Sequence, residues 1–178
     1  MAFKVIELRT AYFPDEGTLS SALSGFGLPL PVIRAALESF VCKAAVLSGQ
    51  GYQQHIAREL EDHLASRLRD GEFRTARRAR YSPRLNEQAD LAIGRSGLER
   101  QIFVEIEFRP NVEKDLVKFQ IGSNTGRLAA AVLILATDRK AINTGYKTMP
   151  EFGKFSQLIR ELAPQYPLFL VGISGCHE

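Results

Sequence analysis

At 178 residues, 45% of them hydrophobic and 24% charged, the chain has enough material for one packed core and little to spare for a second. That composition excludes disordered, collagenous and repeat architectures. A formal net charge of +3 is too small by itself to argue for a polyanionic partner, so the distribution of charge has to carry that question.

The opening Phe3-Lys-Val-Ile-Glu-Leu-Arg9 predicts a short strand, and the Pro, Asp, Gly and Ser between Tyr12 and Gly27 predict a loop. Pro31 suits the first turn of a helix in which Ile33, Leu37, Phe40, Val41 and Ala44 recur at helical spacing, ended by Gly49 and Gly51. A second helix is predicted over 52–69, with Ile56, Leu60, Leu64 and Leu68 as an apolar ridge and Asp70-Gly71 as its stop. Glu59, Glu61 and Asp62 lie mostly off that ridge. Next comes a basic segment, with Arg67, Arg69, Arg74, Arg77, Arg78, Arg80 and Arg84 set against only Asp70 and Glu72.

Asp90-Leu-Ala-Ile93, a polar turn through Gly97, and Ile102-Phe-Val-Glu-Ile-Glu-Phe108 read as a hairpin of two short strands. Pro110-Asn111 breaks the pattern. Residues 112–124 then read as a helix with Leu116, Val117 and Phe119 or Gln120 facing inward and Lys114 and Lys118 one turn apart. The continuous apolar run 129–136 predicts a central strand buried on both sides. A loop over 138–150 holds Arg139, Lys140, Asn143, Tyr146 and Lys147, followed by a helix over 151–162 and a last strand over 167–173. Strands alternating with helices predict an α/β fold, a mixed sheet flanked by helices on both faces, in one domain spanning 1–178.

Three carboxylates mark the hairpin. Glu105 and Glu107 are two residues apart on one strand and so point to the same face, and Asp90 joins them if its strand lies alongside. Alternating Val-Glu-Ile-Glu-Phe is also the pattern of an ordinary half-exposed strand. Against that, the neighbouring strand offers another acid where a lysine is the usual cross-strand answer. The bases sit instead on the flanks, in the arginine run before and at Lys114 and Lys118 after. Acids at the centre with bases on the rim is the charge layout of a metal-dependent phosphodiester hydrolase.

Asp90, followed after fifteen residues by Glu105-Ile-Glu107, resembles the core of the PD-(D/E)xK nuclease superfamily in its Glu-x-Glu variant. The longer run Val104-Glu-Ile-Glu-Phe-Arg-Pro-Asn111, then Lys114 to Gly122 and the apolar strand to Leu135, is similar to the type II restriction endonucleases related to BglII, BstYI and BamHI. The resemblance covers roughly residues 90–173 and implies a restriction-endonuclease-like fold, with a helical N-terminal part over 1–85 and a catalytic sheet core over 86–178. It further implies Mg²⁺, for which Mn²⁺ substitutes, held by Asp90, Glu105, Glu107 and the backbone carbonyl of Ile106. Glu107 stands where the superfamily has a lysine and would orient or deprotonate the attacking water. An acid of the preceding helix, Glu61 or Glu59, is a further candidate for the catalytic set.

The implied substrate is double-stranded DNA, cut by a homodimer at a short palindromic site to leave 5′-phosphate ends, with no nucleotide cofactor. Arg77, Arg78, Arg80, Arg109, Lys114 and Lys118 are then candidate DNA-backbone contacts, and Asn143, Tyr146 and Lys147 candidate base readers. The sequence departs from the superfamily pattern in having Gln88-Ala89 instead of a proline before Asp90, and Glu107 instead of the lysine. A nuclease of repair, recombination or phage function without tight specificity is the alternative enzyme, and a non-catalytic DNA-binding protein the alternative outside enzymes.

Other features carry less. His55, His63 and His177 are too scattered for a ligand set, and Gly94-Arg-Ser-Gly97 is a turn without the lysine of a phosphate-binding loop. Cys42 and Cys176 have neither the number nor the spacing of a disulfide framework or a zinc site. No apolar run is long enough to span a bilayer and the N-terminus does not read as a signal peptide, so a cytoplasmic location away from membranes is expected.

Overall fold

A computed structural model of the chain describes residues 3–42, 50–69, 72–108, 112–137 and 152–177. They form one seven-stranded mixed sheet and five helices: β1 (Phe3–Phe13), α1 (Glu16–Phe26), α2 (Leu30–Glu38), β2 (Val41–Cys42), α3 (Gln50–Arg67), β3 (Phe73–Arg77), β4 (Leu91–Arg95), β5 (Gln101–Glu107), α4 (Glu113–Asn124), β6 (Leu128–Ala136), α5 (Phe152–Leu162) and β7 (Leu168–His177). The strand order is β2-β1-β7-β6-β5-β4-β3. The centre, β5-β6-β7, is parallel, whereas β4 and β3 continue it antiparallel on one side and β1 and β2 on the other.

The predicted class therefore holds, with helices on both faces. Leu19, Leu23, Ile33, Leu37, Ile56, Leu60 and Leu64 of α1 to α3 pack on one face of the sheet, against Val104, Ile106, Val132 and Ile134. On the other, Leu116 and Phe119 of α4 and Phe155 and Ile159 of α5 pack against Phe103, Leu133 and Leu170. The apolar run 129–136 lies in the central strand, β6, flanked by β5 and β7 and buried on both faces.

Four expectations of local structure are corrected. The segment read as a loop holds α1, whose N-terminus is capped by the Asp15 carboxylate accepting from the Thr18 N–H, and whose end is closed by Gly27 at φ 89°. The helix begun by Pro31 ends at Glu38, so Phe40 and Val41 lie beyond it and Val41 opens β2. The basic segment contains β3, so residues 1–85 supply three strands of the sheet besides their helices. On α4, Val117 faces solvent, with Leu116 and Phe119 inward. Among the described residues no helix is long and apolar enough to cross a membrane.

Candidate active site at the carboxyl end of β5

The β4–β5 hairpin forms as the sequence predicts. Gly97, at φ 82°, turns the chain, and Leu91 pairs with Val104 across the two strands. The two-residue period then divides β5: Ile102, Val104 and Ile106 enter the core beneath α1 to α3, while Phe103 enters the core beneath α4 and α5. Glu105 and Glu107 share the face of Phe103. Asp90, at the entry to β4, turns its Oδ2 onto the Ile106 N–H at 2.8 Å, which ties the two strands together at the point where the acids gather.

Glu105 is only 2% exposed, and two groups hold its Oε1. The Tyr81 hydroxyl donates at 2.7 Å and the Lys118 ammonium at 3.1 Å. Tyr81 is fully buried, its ring 4.5 Å from that of Phe103 and edge-on to Phe119. Glycine at 122 makes room for it, since a Cβ there would stand 3.0 Å from Tyr81 Cδ1. Lys118 also donates to Asp115 Oδ1 at 2.8 Å, one turn back on α4. Asp115 is 3% exposed, and its other oxygen, Oδ2, is buried with no hydrogen-bond partner among the described residues. Asp90, Glu105, Ile106, Glu107, Asp115 and Lys118 line a cleft of about 200 Å³, closed on its far side by Gln54 and Ala57 of α3. Larger hollows, such as that of about 320 Å³ between Pro14 and Pro164, lie away from these acids.

Crowding of like charges in a buried place sets the protonation of the cluster. Burial, reinforced by the charges of Asp90 and Asp115, pushes Glu105 up to about 8, although Lys118 and the Tyr81 hydrogen bond pull the other way. Burial likewise raises Asp115 against the opposing pull of Lys118. For Lys118, burial disfavours the charge, but Glu105 and Asp115 outweigh it and its pKa is raised, so it stays cationic. Glu61 is raised by burial and then by the charge of Asp90, so it lies within electrostatic reach of the cluster.

The sequence candidates are thus sorted by position. Asp90, Glu105, Ile106 and Glu107 come together at one cleft. Glu61 is near but engaged by Arg77, whose guanidinium also pairs with Asp62, so both sit in one ion-pair group beside the cleft and not on its wall. Arg78, Arg80 and Lys114 are exposed. Lys118, expected on the rim, points into the cleft, its side chain 13% exposed. Arg109, Asn143, Tyr146 and Lys147 lie outside the described residues.

Two members, Asp115 and Tyr81, escaped the sequence reading. Asp115 had a legible signal, an acid three residues before a lysine on a helix that follows the acidic strand. Tyr81, in an irregular segment 24 residues from its partner, had none.

Among the described residues no three His, Cys, Asp or Glu side chains stand close enough to hold a metal ion. The donor set is nevertheless all carboxylate oxygen, the chemistry of a hard divalent cation, and the buried, unpartnered Asp115 Oδ2 is an acceptor still to be satisfied. In comparison with known proteins, the family model for restriction endonuclease BglII/BglIII matches residues 29–173. No curated protein matches the chain.

Proposed function

We propose, from the premise that this chain belongs to the BglII/BglIII restriction endonuclease family, that it is a Mg²⁺-dependent type II endonuclease hydrolysing phosphodiester bonds of double-stranded DNA. The observation that carries the reading is the convergence of Asp90, Glu105 and Glu107 with an ammonium group at one cleft beside the carboxyl end of β5. Four acids and one lysine line that cleft, a deficit of positive charge that solvent-facing glutamates would not need to create.

Asp90 and Glu105 would hold the cation, with Glu107 and the Ile106 carbonyl completing the donors. When bound, the cation offsets the repulsion among the acids and polarises the scissile phosphate. Tyr81 and Ile106 orient the chain's own groups: the phenol fixes Glu105 Oε1, and the Ile106 N–H fixes Asp90. Glu107 takes a proton from the attacking water as its oxygen bonds to phosphorus, the bond from phosphorus to the 3′ oxygen breaks, and the departing 3′ oxygen takes a proton from a solvent water, giving a 5′ phosphate and a 3′ hydroxyl. The exposed Arg78, Arg80 and Lys114 contact the backbone on either side. Two copies related by a two-fold axis suit a palindromic duplex site, one active centre per strand.

Purified protein incubated with a large plasmid or viral DNA and Mg²⁺ or Mn²⁺ tests the proposal. Discrete fragments with uniform, sequenceable 5′-phosphate ends are expected, and Asp90→Ala or Glu105→Ala abolishes them while circular dichroism stays unchanged. A smear of random ends supports a nuclease without tight specificity. No cleavage with either metal removes both enzyme readings and leaves a DNA-binding protein.

A further inference from the structure

We propose that Lys118, held in place by Asp115, is a catalytic residue of this site: α4 delivers to the scissile phosphate the positive charge that β5 lacks, since Glu107 occupies the strand position where a lysine is expected. The inference rests on the nuclease reading and assigns two residues of α4 to it.

Three observations support it. First, Lys118 Nζ is not a rim group: it lies between Glu105 Oε1 and Asp115 Oδ1, at 3.1 and 2.8 Å, on the wall of the acid-lined cleft. Second, Asp115 is 3% exposed in the first turn of a helix whose neighbouring Glu113 and Lys114 are exposed, a costly place for an acid whose side-chain hydrogen bond among the described residues comes from a lysine one turn on. A solvated ion pair would serve helix stability as well without that cost. Third, every other charged group lining the cleft among the described residues is an acid, Asp90, Glu105, Glu107 and Asp115, so Lys118 is the positive group there that can meet a phosphate oxygen. In the hydrolysis Lys118 donates a hydrogen bond to a non-bridging oxygen of the phosphate and gains strength as negative charge accumulates there, while Asp115 acts through it as a positioning residue. No proton need leave Lys118.

The test separates this from a counter-charge that a metal simply replaces. Single-turnover cleavage is measured at saturating Mg²⁺ for wild type, Lys118→Met and Lys118→Gln, the second keeping a hydrogen-bond donor so that folding survives if methionine is not tolerated. Mg²⁺ affinity of each free protein is measured by calorimetry. Loss of one preorganised donor lowers rates about 100-fold or more, so that fall is expected for Lys118→Met, and a smaller fall, still above threefold, for Lys118→Gln, which keeps a donor but loses the charge; both bind Mg²⁺ at least as tightly as wild type because a competing cation is gone. Asp115→Asn is expected to lower the maximal rate about tenfold with the KM for DNA unchanged, and Asp115→Glu to recover part of the loss. Cleavage by the Lys118 variants within threefold of wild type overturns the proposal and leaves Lys118 a counter-charge. Inactivity of the wild-type protein with Mg²⁺ and Mn²⁺ removes the nuclease reading itself, and this inference with it.

Discussion

Replacing Tyr81 by Phe removes one oxygen and leaves the ring packed between Phe103, Phe119 and the Gly122 turn of α4. The lost bond is the 2.7 Å hydroxyl contact to Glu105, between groups 0% and 2% exposed, so water cannot substitute for it. A hydrogen bond to a charged group contributes roughly 1.5–3 kcal/mol, about twice a neutral one. For a chain of this size, 1 kcal/mol corresponds to about 2–4 °C in Tm. Tyr81→Phe is therefore expected to melt roughly 6 °C lower where Glu105 is ionised and about half that where it is protonated. Because burial pushes Glu105 up to about 8, the gap widens between pH 6 and pH 9. The measurement is thermal melting by circular dichroism of both proteins in chelator across that range. A gap below 1 °C, or one equal at pH 6 and pH 9, would refute the idea that the phenol holds an ionisable Glu105.

Other expectations follow from the same geometry. Glu105 has its folded-state pKa raised from 4.5 to about 8, so its contribution to stability is fully present below 4.5 and lost as pH rises through about 8. Metal-free protein should lose on the order of a few kcal/mol between pH 5 and pH 9, with Asp115 and Glu61 shifting it the same way. Melting at constant ionic strength checks this, and a Tm that climbs with pH contradicts it. Gly122→Val drives a branched side chain against Tyr81 and is expected to cost about 2 kcal/mol in urea unfolding, most of the cleavage activity falling with it. Ala163 sits at φ 44° just past α5, so Ala163→Gly should raise stability by about 1 kcal/mol without altering cleavage.

What could be read from the sequence was what repeats at a fixed period. The four-spaced leucines of α3, the apolar run of β6 and the Glu-x-Glu of β5 each announce an element and a face, and the structure has all three. The loop expected before Gly27 shows where composition misleads. Its Pro, Gly and serines outweighed a legible helix signal, Asp15 as cap followed by Leu19, Leu23 and Phe26 on one side. β3 was hidden for a different reason. It is an edge strand whose Arg74 and Arg77 are exposed, so it lacks an apolar alternation, and charge on an edge discourages further pairing. The site divided likewise: Asp90, Glu105 and Glu107 lie on paired strands close in sequence, whereas Tyr81 reaches Glu105 only through tertiary packing.

The position of the cleft follows from the connection between β5 and β6. These strands are parallel, so the chain must cross from the carboxyl end of one to the amino end of the next, and α4 makes that crossing. A helix that begins where β5 ends necessarily sets its first turns beside the last residues of the strand. Asp115 and Lys118 therefore fall next to Glu105, while Phe119 and Gly122, further along, reach Phe103 and Tyr81. On the other side β4 is antiparallel, so the beginning of β4, with Asp90, meets that same end of β5. A strand that has an antiparallel neighbour and is followed by a helix gathers a strand start and a helix start at its own terminus. In this sheet β5 holds such a place, with α4 after it and the start of β4 beside its end, and the acids are there. That is why side chains spread from residue 81 to residue 118 make one site, and why exchanging Glu105 for Gln should disturb Tyr81, Lys118 and Asp115 together.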